Sequence, residues 1–149
     1  MDRVLLVEDS DYKRSRVQEF VVSILPGVHL DVAASFNSAA QALDTGRYEL
    51  VVMDISLPTY DRSPVESGGR FRALGGRELA RKIVRRRLQS RIVFLTQFDS
   101  FSDDVHSHNL KSLADTLRAD CGAQFAALIY FDSSTSSWKE QLERVLLSK

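Results

Sequence analysis

The sequence predicts an α/β fold in which a doubly wound parallel sheet carries helices on both faces. Five short apolar segments alternate along the chain with five longer amphipathic segments. Strands that are separated by helical crossovers pair in parallel, with right-handed connections. The 149 residues suffice for a single domain with one core, and 44% hydrophobic with 27% charged residues is typical of soluble globular proteins.

The first βα unit starts almost at the N-terminus. Residues 4–7 form an apolar run that is too short for a helix and indicates a buried strand. Residues 11–25 repeat apolar side chains at helical spacing, Asp9 or Ser10 is suited to cap this helix, and Pro26 ends it.

The next two strands differ in character. Residues 29–33 alternate partly, which is typical of a strand near an edge, whereas residues 48–55 form the most apolar strand of the set. The helix predicted between them covers 35–43 and is capped by Ser35 or Asn37. The later elements are predicted, in order, as a helix over 76–88, a strand over Arg91–Thr96, a helix from Asp103 or Asp104 to 119, a strand over 125–131 and a helix over 138–147.

An irregular segment at about 59–75 interrupts this alternation. It combines proline, glycine and charged residues. Loops of this length without secondary structure are uncommon in compact domains and are usually functional or mobile. Two interpretations of this segment are open: it is a tolerated surface insertion, or it is a lid or partner-binding arm.

Charge and composition exclude several classes of protein. The net charge is +0, which gives no general attraction to nucleic acid or membranes. The chain begins without a signal peptide pattern, and no apolar run approaches the roughly 18 residues of a membrane helix. Cys121 has no partner for an internal disulfide, which fits a reducing compartment. We therefore expect a cytoplasmic protein that binds neither nucleic acid directly nor membranes.

Polar residues follow three of the apolar strands. Ligands of open parallel sheets bind at the carboxyl ends of the strands, and these ends carry Glu8 and Asp9, then Asp54, then Thr96. Asp54 alone would equally suit a simple turn. If the first and third strands are neighbours, however, three carboxylates meet, and hard oxygen ligands without His or Cys favour Mg²⁺. Magnesium beside an exposed carboxylate is suited to phosphoryl transfer, in which the carboxylate acts as the nucleophile.

Three segments resemble the signature segments of bacterial response-regulator receiver domains: VLLVED at 4–9, VVMDISLP at 51–58 and IVFLT at 92–96. The order of elements agrees along the whole chain. The resemblance implies a flavodoxin-like (βα)5 fold with strand order 2-1-3-4-5. It also implies a stand-alone, single domain over 1–149.

The same resemblance assigns roles to the strand-end residues. Asp54 would accept a phosphoryl group from a phosphohistidine. Glu8, Asp9, Asp54 and the main-chain carbonyl of Ser56 would bind Mg²⁺. Thr96 would be the switch hydroxyl that contacts the phosphoryl group.

The sequence departs from the receiver pattern where strand five ends. Receivers place a lysine there to pair with the phosphoryl group, but here the position falls on Phe131 or Asp132. Losing this cation removes a charge-assisted contact worth roughly 1.5–3 kcal/mol. Arginines of the irregular segment are candidate substitutes: Arg62, Arg70 and Arg72. This segment is about fourteen residues longer than is usual in the family.

Two further positions differ. Gln97 follows the switch threonine, where a small residue is usual, and we interpret it as a residue that controls access or orients water. Leu128 falls where receivers carry a switch aromatic, so Tyr130, two residues further on and facing the same side, is the candidate.

Two functions remain open from the sequence. The first is a phosphoacceptor receiver in two-component signalling, partnered by a sensor histidine kinase or phosphotransfer protein and an unknown output protein, with a homodimer as an open alternative. Its only chemistry would be self-phosphorylation and slow dephosphorylation. The second is a pseudo-receiver, a protein-binding module that is never phosphorylated. A hydrolase is disfavoured because Ser56 stands where a second catalytic acid would be needed.

Overall fold

The fold is built on a five-stranded parallel sheet. The computed structural model describes residues 1–61, 71–72, 75–97 and 103–148, with side chains except at 71–72 and 103–109. The strands are β1 (Arg3–Val7), β2 (His29–Ala33), β3 (Leu50–Met53), β4 (Arg91–Thr96) and β5 (Phe125–Tyr130). They pair in the order β2-β1-β3-β4-β5. The predicted flavodoxin-like topology with order 2-1-3-4-5 is confirmed.

Helices cover both faces of this sheet. They are α1 (Asp11–Ile24), α2 (Phe36–Thr45), α3 (Gly75–Arg85), α4 (Asp103–Cys121) and α5 (Ser137–Leu147). Helices α1 and α5 pack on one face through Val17 and Trp138, and α2, α3 and α4 pack on the other. Within the described ranges, no helix combines the length and the apolar character that crossing a membrane requires.

The predicted caps Ser10 and Ser35 are confirmed. Ser10 caps α1, where its Oγ accepts a hydrogen bond from the Lys13 amide. Ser35 caps α2 in a reciprocal capping box with Ser38. Trp138 is buried, with its ring against those of Phe20 and Phe131.

Several element boundaries differ from the prediction; α2 ends at Thr45 rather than 43, and α3 ends at Arg85 rather than 88. Strand β3 covers Leu50–Met53 rather than 48–55. At its C-terminal end, the amide of Ile55 donates to Asp54 Oδ1 at 2.6 Å instead of to a neighbouring strand. Helix α4 continues beyond residue 119 to Cys121, where a 3₁₀ turn over Gly122–Gln124 leads into β5.

The irregular segment is anchored at both ends. Leu57–Pro58 pairs with Phe71–Arg72 in a short antiparallel ladder. Residues 62–70 and 73–74 lie outside the described residues, so the interpretation of 59–75 as an insertion, and its role, stay predictions.

The start of α3 docks directly on the turn that follows Asp54. The Gly76 amide donates to the Ile55 carbonyl at 2.7 Å. A Cβ on Gly76 would lie 2.0 Å from the Asp54 carbonyl oxygen, so only glycine allows this close approach. The backbone that carries the Asp54 side chain is therefore held from both sides, by the sheet and by α3.

The register of the sheet aligns the strand ends. Met53 lies opposite Val7 on one side and Phe94 on the other. Beyond the strands, the Asp54 amide donates to the Val7 carbonyl and the Phe131 amide to the Thr96 carbonyl. The residues that follow β1, β3, β4 and β5 consequently share one edge of the sheet.

Candidate functional site

The Asp54 carboxylate is held in one orientation at the end of β3. Its Oδ1 accepts the Ile55 amide at 2.6 Å, and its Oδ2 lies 3.0 Å from the Lys13 ammonium. The Asp54 side chain remains 15% exposed, whereas that of Lys13 is 2% exposed. Asp54 is therefore oriented from the protein interior but accessible from solvent.

The Lys13 ammonium connects three strand ends. Its Nζ lies 2.9 Å from Glu8 Oε2, 3.0 Å from Asp54 Oδ2 and 2.5 Å from the Leu95 carbonyl oxygen. The contacts with Asp54 and Leu95 are hydrogen bonds, and the contact with Glu8 is an ion pair. A buried cation thus joins the carboxyl ends of β1, β3 and β4.

Helix α1 brings Lys13 to this position. Lys13, Val17 and Val21 are its buried residues, four apart and therefore on one face. At the start of the helix, Arg14 Nη1 donates to the Glu8 carbonyl at 3.0 Å, which ties the first turn to the end of β1. The inward face of an otherwise polar helix therefore begins with a lysine beside the predicted site.

The Glu8 carboxyl is buried beside Lys13. Its Oε1 accepts the Ser10 amide at 3.3 Å, and Oε2 has the ion pair with Lys13 but no well-directed hydrogen bond within the described part of the chain. The pKa of Glu8 is raised to about 7, chiefly by burial and also by the Asp54 charge, while Lys13 opposes the shift. The neighbouring Asp9 is half-buried.

Thr96 lies at the same edge, at the end of β4. It is buried, its carbonyl accepts the Phe131 amide at 2.8 Å, and it follows directly on Leu95, which holds Lys13. Gln97 is exposed at the end of the strand. The structure therefore places Thr96 within the predicted set and leaves Gln97 at its solvent side.

The three residues at the end of β5 differ in their burial and in their contacts. Tyr130 lies opposite Thr96 and is half-buried. Phe131 is buried, with its ring centroid 5.7 Å from Lys13 Nζ. The Asp132 carboxylate accepts the Ser134 amide and hydroxyl, and these bonds hold the pKa of Asp132 below its ordinary value. Phe131, rather than Asp132, therefore faces the charged cluster.

The predicted metal ligands share an edge but do not converge on a point. Among the residues with described side chains, no three Asp, Glu, His or Cys groups are arranged to hold a metal ion. Lys13 bridges two of the expected ligands, Glu8 and Asp54. The candidate substitutes Arg62 and Arg70, and the side chain of Arg72, lie outside the described residues.

Two curated proteins are similar to nearly the whole chain, while no protein-family model matches it. The uncharacterized protein y4jR of Sinorhizobium fredii is 25% identical over 149 residues, covering 98% of this chain and 97% of its own. The Detocs response regulatory protein DtcB of Enterobacter cloacae is 21% identical over 142 residues, covering 94% of this chain and 95% of its own.

Solved receiver domains superpose on the chain over its full length. The non-phosphorylated HemR receiver domain of Leptospira biflexa has a TM-score of 0.62 at 21% identity, covering all of this chain and 97% of its own. The response regulator TrrA of Thermotoga maritima, in complex with Mg²⁺-BeF, has a TM-score of 0.59 at 22% identity, covering 99% and 100%. The chain has the receiver fold.

Within this receiver fold, the carboxyl edge suits Mg²⁺ in donor type and charge. Glu8, Asp9 and Asp54 offer hard oxygen donors, and Glu8 Oε2 retains acceptor capacity. If all three carboxylates are ionised, they and the ammonium leave two formal negative charges, which one divalent cation would balance. Ser56 is half-buried two residues after Asp54.

Lys13 is the site residue that sequence reasoning missed. Strand β5 ends without a lysine, and the cation beside Asp54 comes from helix α1. The signal was present in the sequence: position 13 lies four and eight residues before Val17 and Val21, on the apolar face of α1. A lysine on such a face, four residues after Asp9, indicates a buried partner for the acidic strand ends.

Proposed function

We propose that this chain is a phosphoacceptor receiver that acts in two-component signal transduction, with Asp54 as the phosphorylated residue. One observation carries the proposal: the Asp54 carboxylate is oriented by the Ile55 amide and the Lys13 ammonium, yet 15% of its side chain reaches solvent. A nucleophile needs both a defined direction and access for its donor. The receiver fold and the similarity to a response regulatory protein support the same function.

The transfer requires little of the protein beyond position and charge. An Asp54 carboxylate oxygen forms a bond to phosphorus while the P–N bond of a phosphohistidine breaks, and the electron pair returns to the imidazole nitrogen. The donor would be a sensor histidine kinase or a phosphotransfer protein. Thr96, at the end of the neighbouring strand, would donate its hydroxyl to a phosphoryl oxygen.

Magnesium would be held by Asp9, Asp54 and the main-chain carbonyl of Ser56, with Glu8 in support. When bound, Mg²⁺ would neutralise charge on the phosphoryl oxygens. The exposed Gln97 would control access or orient water, and Tyr130, opposite Thr96, would report the state of the switch.

The output of the domain would be a change in protein–protein contacts in the cytoplasm. The partner is an output protein or a second copy of this chain. The only chemistry would be self-phosphorylation and slow hydrolysis of the phosphoryl group.

A pseudo-receiver is the second candidate, and it also has a specific observation in its favour. Lys13 already bridges Glu8 and Asp54, so part of the negative charge at this edge is balanced without a metal ion or a phosphoryl group. In that case the domain would bind its partner in one fixed state.

Mass spectrometry with a small phosphodonor distinguishes the two candidates. Incubation with Mg²⁺ and acetyl phosphate is expected to add one phosphoryl mass to the wild type and none to Asp54→Asn. Asp115→Asn, an exposed substitution on α4, is the matched control and should be modified like the wild type.

Fluorescence of Trp138 provides an independent readout. The Phe131 ring lies 4.9 Å from the Trp138 ring and 5.7 Å from Lys13 Nζ, so Mg²⁺ with beryllofluoride is expected to change the emission. Absence of both the adduct and this response would contradict phosphorylation. Magnesium binding that is lost in Asp9→Ala, without any phosphorylation, would support the pseudo-receiver.

A further inference from the structure

We propose that Lys13, carried by helix α1, binds the phosphoryl group in place of the lysine that receivers place at the end of strand five. The inference rests on the proposed function and names the residue that supplies the missing cation. Its starting point is a pair of observations in one chain. The lysine position falls on Phe131 or Asp132, and the ammonium of a lysine from a different element lies 5.7 Å from the Phe131 ring.

The position of the Lys13 ammonium suits this role. It contacts Oδ2 of Asp54 at 3.0 Å. A phosphoryl group on that carboxylate would place its own oxygens two P–O bonds beyond the carboxylate oxygen, within reach of a cation that already touches the carboxylate. The contact with the Leu95 carbonyl also places the ammonium beside Thr96, the proposed switch hydroxyl.

The surroundings of Lys13 allow only a small movement of its head. The Lys13 amide is bonded to the Ser10 cap, and its side chain is 2% exposed, so the stem is fixed by packing. On phosphorylation, the ammonium exchanges its contact with Asp54 for one with a phosphoryl oxygen and keeps its contacts with Glu8 and Leu95. Such an exchange replaces one charge-assisted hydrogen bond with another.

Phe131 and Asp132 fit the same arrangement. The Phe131 ring fills the space between Lys13 and Trp138. Asp132 is bonded to Ser134 in its own turn, away from the carboxylates. Next to the ammonium, the end of β5 therefore carries the apolar ring of Phe131 and no second charge.

A purely structural role for Lys13 makes a different prediction. If Lys13 only neutralises Glu8 and Asp54, its removal lowers stability but leaves the phosphorylation of folded protein unaffected. If Lys13 binds the phosphoryl group, folded variants without the charge react slowly and bind the phosphoryl mimic weakly. Phosphorylation and mimic binding are therefore the decisive readouts.

The test compares Lys13→Met and Lys13→Gln with the wild type. Glutamine keeps a hydrogen-bond donor without the charge. Circular dichroism shows whether each variant folds, and Lys13→Gln is used if Lys13→Met does not fold. Rates of phosphorylation by acetyl phosphate are measured by mass, and beryllofluoride affinity by fluorine NMR. We expect both to fall roughly ten- to a hundredfold, as for the loss of one charge-assisted hydrogen bond. Lys82→Met, which removes a lysine from α3, is the control and should match the wild type.

Relocation itself is tested by returning the lysine to strand five. In a Lys13→Met background, Phe131→Lys is expected to restore most of the lost rate and affinity. Folded Lys13 variants that react like the wild type, or a folded double variant without recovery, would overturn the role of Lys13 while leaving Asp54 as the phosphoacceptor. A wild type that never forms the adduct would overturn the proposed function, and this inference with it.

Discussion

Two charged clusters in this molecule differ in their ratio of acidic to basic side chains. At the carboxyl edge of the sheet, one base, Lys13, contacts two acids, Glu8 and Asp54. Between α3 and α4, one acid, Asp120, contacts two bases, Arg77 at 2.5 Å and Arg81 at 3.6 Å. Lys13 and Glu8 in the first cluster are buried, whereas Arg77 and Arg81 in the second are 24% and 51% exposed.

Burial reverses the effect of an opposite charge on the neighbouring carboxyl. Glu8 has an ammonium 2.9 Å away, yet its pKa rises to about 7 because burial disfavours the charged form more strongly. The pKa of Asp120 lies below its ordinary value, because its hydrogen bond to Arg77 outweighs a small burial cost. Ion pairs of similar geometry therefore differ in the sign of the shift.

This difference separates a structural cluster from a responsive one. The surface cluster is stabilised by its charges, and it links α3 to α4. The buried cluster holds more negative charge than its single cation balances, so it favours a proton, a metal ion or a change in the position of the ammonium. Such a cluster is suited to respond to a phosphoryl group on Asp54.

The largest expected contrast comes from removing the base of the buried cluster. Lys13→Met in metal-free buffer should lower the free energy of unfolding by about 3–5 kcal/mol, since it leaves buried carboxylates without their cation. Arg81→Met, at a side chain that is 51% exposed, should cost less than about 1 kcal/mol. Urea denaturation at neutral pH measures both, and equal losses would show that the two clusters do not differ as described.

A smaller effect concerns how stability depends on pH. The pKa of Glu8 is about 7 in the folded protein, against 4.5 as its ordinary value. The unfolded chain therefore releases this proton first, and stability should fall as pH rises from about 4.5 to about 7, then level off. The contribution is on the order of 3 kcal/mol.

Glu8→Gln should remove this fall, and Glu140→Gln, an exposed substitution on α5, should retain it. The measurement is the free energy of unfolding across pH 4–8 in the presence of a chelator. A variant and wild type with parallel pH profiles would contradict the raised pKa of Glu8.

The smallest effect, of opposite sign, is expected at the surface cluster. The lowered pKa of Asp120 means that its contribution is present above the ordinary Asp pKa and is lost as pH falls through the lowered value. Asp120→Asn should therefore cost about 1 kcal/mol at neutral pH and nothing in strong acid. In an Arg77→Met background the same substitution should cost less, and an unchanged cost would show that the pair is not coupled.

Much of the fold followed from local patterns in the sequence. Apolar runs bounded by Ser10 and Ser35, which are both helix caps, predicted the alternation of strands and helices that the structure contains. The predicted C-terminal boundary of β3 was wrong; at this end the Asp54 side chain accepts the hydrogen bond of the Ile55 amide. Such a bond is a property of one conformation and leaves no periodic signal.

The site was predicted in part for a similar reason. Glu8, Asp54 and Thr96 were identified because strand ends are readable from apolar runs and because parallel pairing gathers them at one edge. Lys13 was missed because it reaches that edge from a helix, through a side chain whose direction depends on how α1 packs. The metal site, the roles of Gln97 and Tyr130, and the irregular segment at 59–75 stay predictions.

The sequence by itself determined the five βα units, their parallel pairing and the acidic character of the carboxyl edge, because these depend on periodicity and on residues next to strand ends. Only the tertiary structure decided which cation faces Asp54. Docking of α1 against β1 buries Lys13 between Glu8, Asp54 and Leu95, and docking of α5 places Trp138 against Phe131. These contacts join residues far apart in the chain, and their energies depend on burial, which no local pattern specifies.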